Sequence, residues 1–374
     1  MKTLYIIAKG MGKLPKQKMV QLEKNGEMPR FTYLEKKLKA DLLDERLLRE
    51  EPSAMMRTLF RYIPVPVAQI IKALRIHRQY DLILSQSEKV AFPLALIMKI
   101  FRVKTPHVII ISRITSIDSY KSKLKQWYLK QVKNSVSRFL IWSSNQRKIA
   151  IEQLGVDPAK IVLIKRGTDQ KFWVPIERET DMICSVGMEA RDYPTLVEAL
   201  KPLSIPCHIA AGEARGEIFE TVKKLYNISE MPEHITIGQK NYTELRELYA
   251  RSRFVVVSLL PTDSDNGLTT ILESMAMAKP VICTRAEGQV DIIEDGVTGL
   301  MVPQGDPIAL GNAISELWNN PERCKQMGMA GRRFIETHHS LEQFSEAIIR
   351  EAKTVVLERK IRRLDSDIIP VRST

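Results

Sequence analysis

The chain has 374 residues, which is enough for two α/β domains of ordinary size, each with its own core. Its composition, 44% hydrophobic and 27% charged, is ordinary for a soluble globular protein, and no apolar run is long enough to cross a bilayer. Residues 1–150 contain 30 Lys and Arg against 11 Asp and Glu, whereas the remainder is mildly acidic. The asymmetry indicates either two parts with different partners or a solvated lysine-rich surface.

The beginning of the chain lacks the layout of a signal peptide, because its apolar run Leu4–Ala8 is too short for one. We therefore expect a cytoplasmic location, peripheral at the inner face of the membrane if the basic part binds lipid. The four cysteines have no CxxC spacing and lie mostly in apolar runs, so we expect buried free thiols and no metal site. They are Cys184, Cys207, Cys283 and Cys324.

Short apolar runs in the first part of the chain predict the strands of a parallel sheet. These runs are Leu4–Ala8, Asp81–Ser85, Val108–Ser112, Phe139–Trp142 and Ile161–Ile164. Between them, residues 31–60 have a helical pattern, and Val67–Arg78 and Ala91–Phe101 are predicted helices. Gly10 and Gly12 follow the first run, where they form either a loop that lets the backbone approach a phosphate or a plain turn.

A basic helix is predicted for Ser119–Lys133, which carries five lysines interleaved with apolar and aromatic residues. Cations beside Trp127 and Tyr128 suit an anionic interface such as lipid headgroups. The alternative is a solvated helix whose aromatic side chains lie in the core. An anionic membrane surface is therefore a candidate partner, whereas nucleic acid is not the expected one.

The second part of the chain begins after a linker at Phe172–Thr180, which has no clear periodicity. Further strand candidates alternate with helices from there on. They are Met182–Val186, His208–Gly212, Ile235–Gly238, Phe254–Leu260 and Val281–Cys283. The alternation predicts a second doubly wound parallel sheet, so we expect an α/β protein of two such domains.

The loop after Phe254–Leu260 carries the clearest candidate site. It contains Asp265 and the run Asn266-Gly267-Leu268, which opens the helix predicted for Thr269–Ala278. Free backbone N–H groups at a helix N-terminus can bind an anion. Glu273 lies in the second turn of this helix, where a carboxylate can accept hydrogen bonds from two hydroxyls of a ribose or sugar. The alternative is that the loop carboxylates only cap the helix.

Several motifs occur in order over residues 265–305. They are Asp265-x7-Glu273, Lys279-Pro280-Val281-Ile282, Glu287-Gly288 and Asp295-Gly296-Val297-Thr298-Gly299, with Ser185-Val186-Gly187 opening the second part. This pattern resembles the nucleotide-sugar site of the retaining GT-B glycosyltransferases of family 4. The resemblance implies two Rossmann-like doubly wound domains that face a central cleft.

The resemblance implies an acceptor domain at residues 1–172, a donor domain at residues 178–354, and a C-terminal helix, about 355–374, that packs back on the first domain. The implied reaction moves a sugar, with retention, from a nucleotide-diphosphate sugar to a saccharide or lipid-linked acceptor. It implies no cofactor and no metal. Asp265, Arg191 and Lys240 are the implied catalytic residues, the last two as cations that face the diphosphate. The implied donor-binding residues are Glu273, Gly267, Leu268, Asn266 and Gly187, and the position of Gly10 and Gly12 after the first strand adds these two as candidates.

The chain departs from the family pattern at three places. Asp265 stands where relatives have Glu, and Met188 stands where they often have Arg. Ser112-Arg113 stands where they often carry a histidine, since His107 comes too early. Two alternatives follow from these departures and from the basic first part. One is a GT-B nucleotide-sugar epimerase, and the other is a basic protein that binds membrane or nucleic acid and has a degenerate catalytic domain.

Overall fold

The structure is a computed structural model that describes residues 1–7, 14–45, 48, 53–114, 120–212, 218–288 and 291–368. Within these ranges the chain forms two six-stranded parallel sheets, each covered by helices on both faces. The fold class predicted from the sequence, two doubly wound Rossmann-like domains, is therefore confirmed.

The first sheet has the strand order β2-β1-β3-β4-β5-β6. Its strands are β1 Thr3–Ile7, β2 Asp41–Leu43, β3 Leu82–Gln86, β4 His107–Ile110, β5 Arg138–Ile141 and β6 Ile161–Leu163. The chain leaves β1 toward β2 on one side and returns to β3 on the other. The topological switch point, where such sheets bind ligands, therefore lies at β1.

Helices of the first domain lie on the two faces of this sheet. They are α1 Lys16–Lys24, α2 Tyr33–Leu38, α3 Ala54–Tyr62, α4 Val65–Ile76, α5 Glu88–Ile100, α6 Tyr120–Val132 and α7 Ser144–Glu152, with single 3₁₀ turns at His77–Gln79 and Pro158–Lys160. Because right-handed crossovers to β3, β4, β5 and β6 all run in one direction, α3 to α7 share one face. Helices α1 and α2 lie on the opposite face of the first sheet.

The second sheet has the order β12-β11-β10-β7-β8-β9, the arrangement of a classical dinucleotide-binding domain. Its strands are β7 Met182–Val186, β8 Cys207–Ala210, β9 Ile235–Ile237, β10 Ser252–Val257, β11 Val281–Thr284 and β12 Gly299–Val302. Its helices are α8 Tyr193–Leu200, α9 Glu220–Tyr226, α10 Tyr242–Arg251, α11 Leu268–Ala276, α12 Pro307–Trp318 and α13 Pro321–His338, followed by α14 Leu341–Ile368. The switch point lies between β7 and β10.

Two short strands were missed in the sequence. The helical interpretation of residues 31–60 is wrong at Asp41–Leu43, which pairs with β1, and Gly299–Val302 pairs with β11. Both runs are too short to show a period, and their partners are distant in sequence. The predicted burial of the four cysteines as free thiols is confirmed.

The domains are joined by the segment after β6 and by the closing helix. Arg30 donates to Asp169 over 2.6 Å and to Glu342, at the start of α14, over 3.0 Å. The first domain, the connecting segment and α14 are thereby tied at one point. α14 packs against α2, β3 and β5, where its Ile348 and Ala352 are buried.

We predict that Gly167→Ala destabilises this junction. An added Cβ would lie 2.6 Å from both the Ser340 carbonyl oxygen and the Phe344 Cβ, so backbone must shift. We expect the free energy of unfolding to fall by about 1–3 kcal/mol, measured as a lower Tm. Gly238→Ala is the matched control, since its Cβ would meet nothing closer than 3.6 Å. Equal melting temperatures for the two variants would contradict the prediction.

Candidate active site

The carboxyl ends of the two sheets meet across a cleft. α7 begins directly after β5, and its first residues bind loops of the second domain. Ser144 Oγ donates to Asp291 over 2.6 Å, and Asn145 Nδ2 donates to the Asp263 carbonyl oxygen over 2.7 Å. Because ligands of parallel sheets bind outside the carboxyl ends of the strands, this cleft is the candidate site.

Two glycine turns lie at the switch point of the second sheet. Gly187 follows β7 with φ 125°, and Gly267 caps α11 with φ 90°, conformations that L side chains rarely adopt. Of the first amides of α11, that of Leu268 donates to the Asp265 carbonyl oxygen over 3.1 Å. Those of Gly267 and Thr269 bond to no other described residue. The helix start therefore keeps amide donors for an anion.

Arg191 lies beneath these turns rather than in the open cleft. Its side chain is buried, and its Nε and Nη1 donate to the carbonyl oxygens of Val186 and Glu189, each over 3.0 Å. Its Nη2 donates to Thr270 Oγ1 over 3.2 Å. A Cβ on Gly187 would lie 2.3 Å from that Nη2. Arg191 therefore shapes both turns and contributes positive charge from below them.

Asn266 and Leu268 support the loop from within. Asn266 Oδ1 accepts hydrogen bonds from Thr262 Oγ1 over 2.8 Å and from Ser264 Oγ over 2.5 Å. The Leu268 side chain is buried in the core. The amide oxygen of Asn266 is thus used to fix the shape of the acidic loop.

Asp265 lies at the contact between the domains. Its Oδ2 accepts a hydrogen bond from the Trp142 indole N–H, and its Oδ1 accepts one from Gln146 Nε2 over 3.2 Å. Burial raises the pKa of Asp265, while Trp142 and Arg166 favour its ionised form. A ligand hydroxyl that bonds to Asp265 must therefore share or replace a partner from the first domain.

Glu273 is buried in the second turn of α11. Its Oε2 accepts a hydrogen bond from the Tyr249 hydroxyl over 3.1 Å. Burial raises the pKa of Glu273 to about 8, opposed by Tyr249 and Arg166. Tyr249 is itself fully buried against the Trp173 ring, with ring centroids 5.6 Å apart. The carboxyl is therefore positioned by the Tyr249 hydroxyl, and burial favours its protonated form.

One predicted residue, Lys240, lies apart from this group. It is exposed after β9, two strands from β7, which corresponds to about 10 Å at ordinary strand spacing. Two further predicted residues, Gly10 and Gly12, lie outside the described residues. The second-domain group consequently comprises Gly187, Arg191 and the segment 265–273.

Two arginines of the first domain face the same cleft. Arg113 follows β4, where Glu88 Oε1 accepts its backbone N–H over 2.9 Å, and its guanidinium forms an ion pair with Glu189 of the second domain. Arg166 follows β6, with its guanidinium 4.9 Å from the centroid of the Trp142 ring. Arg166 was missed in the sequence. Its position directly after a strand could have identified it as a candidate site residue, since ligands bind at the carboxyl ends of parallel strands.

Two kinds of feature are absent from the described part of the chain. No cluster of three or more His, Cys, Asp or Glu side chains there could hold a metal ion. None of the helices there combines the length and apolarity that a membrane span requires.

We predict that Glu273→Gln removes a pH dependence of stability. The pKa of Glu273 is about 8 in the folded state and 4.5 without the fold, so the folded state binds the proton more tightly. The contribution of this proton to the free energy of unfolding is complete below about pH 4.5. It decreases by about 1.4 kcal/mol per pH unit as the pH rises toward 8. Between about pH 5 and 7 the Tm of the wild type should fall relative to that of the variant. A difference in Tm that stays constant with pH would contradict this.

Two family models match the chain, one in each domain. The model for glycosyl transferases group 1 matches residues 188–334, and the model for glycosyltransferase family 4 matches residues 36–172. Among curated relatives, an uncharacterized glycosyltransferase of Methanocaldococcus jannaschii is 28% identical over 37% of this chain and 38% of its own length. Human alpha-1,3/1,6-mannosyltransferase ALG2 is 26% identical over 38% of this chain and 35% of its own length. The matches thus span well under two thirds of these relatives.

Solved structures resemble the whole chain. Anabaena HepE in complex with UDP has a TM-score of 0.69 at 16% identity, covering 95% of this chain and 100% of its own. Sucrose-phosphate synthase from Thermosynechococcus elongatus has a TM-score of 0.71 at 16% identity, covering 96% and 100%. At this identity the likeness shows the fold. The chain therefore has the GT-B fold, and the two family models show that it belongs to the group 1 glycosyltransferases.

Proposed function

We propose that the protein transfers a sugar, with retention, from a nucleoside-diphosphate sugar to an acceptor hydroxyl. The observation that carries the proposal is the buried carboxyl of Glu273 beside the glycine turns at Gly187 and Gly267. A carboxyl and free helix amides at one switch point suit a ligand with both hydroxyls and phosphates. Family membership and the HepE structure with bound UDP support the same donor class.

In this proposal the second domain binds the donor. Glu273 accepts hydrogen bonds from hydroxyls of the ribose or sugar, and the amides at the start of α11 bind the diphosphate. Arg191 adds positive charge beneath the same turns. As the bond between the anomeric carbon and the phosphate oxygen breaks, negative charge grows on the phosphate. Fixed dipoles and cations stabilise that charge without reorganisation.

The acceptor attacks from the face of the leaving phosphate. A bond forms between the acceptor oxygen and the anomeric carbon, and the acceptor proton passes to the departing phosphate oxygen. Two observations favour this route over a nucleophile from the enzyme. Burial of Glu273 disfavours its ionised form, and Asp265 has a hydrogen bond on each carboxylate oxygen. His107 is not a candidate nucleophile, because it is buried in the first sheet, where its Nε2 forms a hydrogen bond with Ser85 Oγ at 2.8 Å.

We further propose that the first domain docks on an anionic membrane that carries a lipid-linked acceptor. Met55, Leu59 and Tyr62 are 75%, 43% and 83% exposed and lie on one face of α3. Trp127, on α6, is 50% exposed and lies on the same side of the sheet as α3. Arg57 is also exposed on α3, on a different face of the helix, in the part of the chain that carries the positive charge. Exposed apolar side chains among cations suit an anionic interface.

We predict that nucleoside diphosphates raise the Tm of the wild type, because a ligand bound only by the native state stabilises it. A screen of UDP, GDP, ADP and their sugars measures this. Glu273→Ala should fold but lose transfer to a mixture of saccharide acceptors, whereas Lys325→Ala, at an exposed residue of α13 outside the proposed site, is the control. Donor interconversion without acceptor would identify an epimerase instead. Normal donor affinity and turnover in Glu273→Ala would contradict the site.

We predict that the protein sediments with vesicles containing phosphatidylglycerol at low salt and dissociates as salt rises, because counterions screen the cations. Replacing Met55, Leu59 and Tyr62 together by Ser should abolish sedimentation. The control is Ile308→Ser, which removes an apolar side chain that is 75% exposed on the second domain. No sedimentation of the wild type at low salt would rule out the docking.

A further inference from the structure

Among the described residues, Arg166 is a cation of the cleft that the proposed donor site leaves unused. It follows β6 at the edge of the first sheet. Its guanidinium lies 4.9 Å from the centroid of the Trp142 ring and 5.7 Å from that of Phe344. Cation–π contacts of this kind orient a guanidinium and leave its edge N–H groups available.

The backbone of Arg166 is held firmly in place. His339 Nδ1 donates to the Arg166 carbonyl oxygen over 2.7 Å, and the Thr168 N–H donates to the His339 carbonyl oxygen over 2.9 Å. Gly167 permits this close approach, since a Cβ there would meet Ser340 at 2.6 Å. The start of α14 thus fixes the position from which the Arg166 side chain projects.

Within the described ranges, the side chain of Arg166 forms no hydrogen bond and no ion pair. The other cleft arginines differ in this respect, because Arg191 donates to three protein oxygens and Arg113 is paired with Glu189. Asp265 and Glu273 act on Arg166 only at longer range, and burial lowers the pKa of Arg166. A partly buried arginine without a close partner is costly unless an anion binds it.

We propose that Arg166 is a binding residue for a substrate phosphate in the cleft, a role that rests on the proposed glycosyl transfer. Its planar fork can bind two phosphate oxygens at once. Arg166 belongs to the first domain, and its guanidinium lies within electrostatic range of Asp265 and Glu273 of the second domain. The phosphate belongs either to the donor diphosphate or to a phosphate-bearing acceptor. Arg166 then selects phosphorylated substrates, whereas Arg113 bridges the domains.

The test compares Arg166→Gln with Arg166→Lys and with Lys165→Gln. The last variant loses one charge at the exposed neighbouring residue and serves as the matched control. Affinities for UDP, GDP, ADP and pyrophosphate are measured by titration. Affinities for glucose 6-phosphate and glucose are then measured on protein saturated with the nucleoside diphosphate that binds best. Circular dichroism and Tm establish that each variant is folded.

We expect Arg166→Gln to lose about tenfold or more in affinity for phosphate ligands, with partial rescue in Arg166→Lys. A loss confined to glucose 6-phosphate assigns the acceptor phosphate, and a loss for nucleoside diphosphates and pyrophosphate assigns the donor. Unchanged affinities, or equal losses in Lys165→Gln, would overturn the proposal. If the wild type binds nucleoside diphosphates and Arg166→Gln changes the affinity for none of the probes, this inference alone is overturned. Wild type that binds none of the probes overturns the proposed function as well.

Discussion

The carboxyl ends of two parallel sheets face each other, and this constraint determines where every polar group of the site lies. A parallel strand ends at the same edge of its sheet as its neighbours, so residues that follow different strands become neighbours. Arg113, Trp142 and Arg166 follow strands of the first domain, whereas Gly187 and Asp265 follow strands of the second. Their loops meet because the connecting segment and α14 hold the two domains together.

Charge in the cleft follows from the same arrangement. Glu273 loses solvent without gaining an ion pair, which raises its pKa, whereas Asp265 keeps hydrogen bonds from Trp142 and Gln146. Arg166 acts on both carboxyls at longer range. A ligand with hydroxyls and phosphates supplies what each of these groups lacks. Hydroxyls can donate to the carboxyls, and phosphate oxygens can accept from the guanidinium and from the free amides of α11.

The hydrophobic pattern along the sequence predicted many of the strands and helices, but few of the side-chain contacts in the cleft. The run Met182–Val186 forms β7 with the predicted bounds, because a short apolar stretch between loops has few alternatives. Asp41–Leu43 has three residues and shows no period, so the strand was missed. The spacing of the motif identified Arg191 as a candidate site residue. It did not predict the direction of the Arg191 side chain, which lies beneath the turns at Gly187 and Gly267. The contact between Trp142 and Asp265 joins residues 123 apart in sequence, a distance at which periodicity carries no information.

The central claim is that the switch point between β7 and β10 binds the nucleoside diphosphate. Hydrogen–deuterium exchange with and without the best-binding nucleoside diphosphate tests it directly, since bound amides exchange more slowly. The account predicts added protection at residues 187–191 and 265–273. Protection confined to the first domain, or none at either segment despite measured binding, would contradict it.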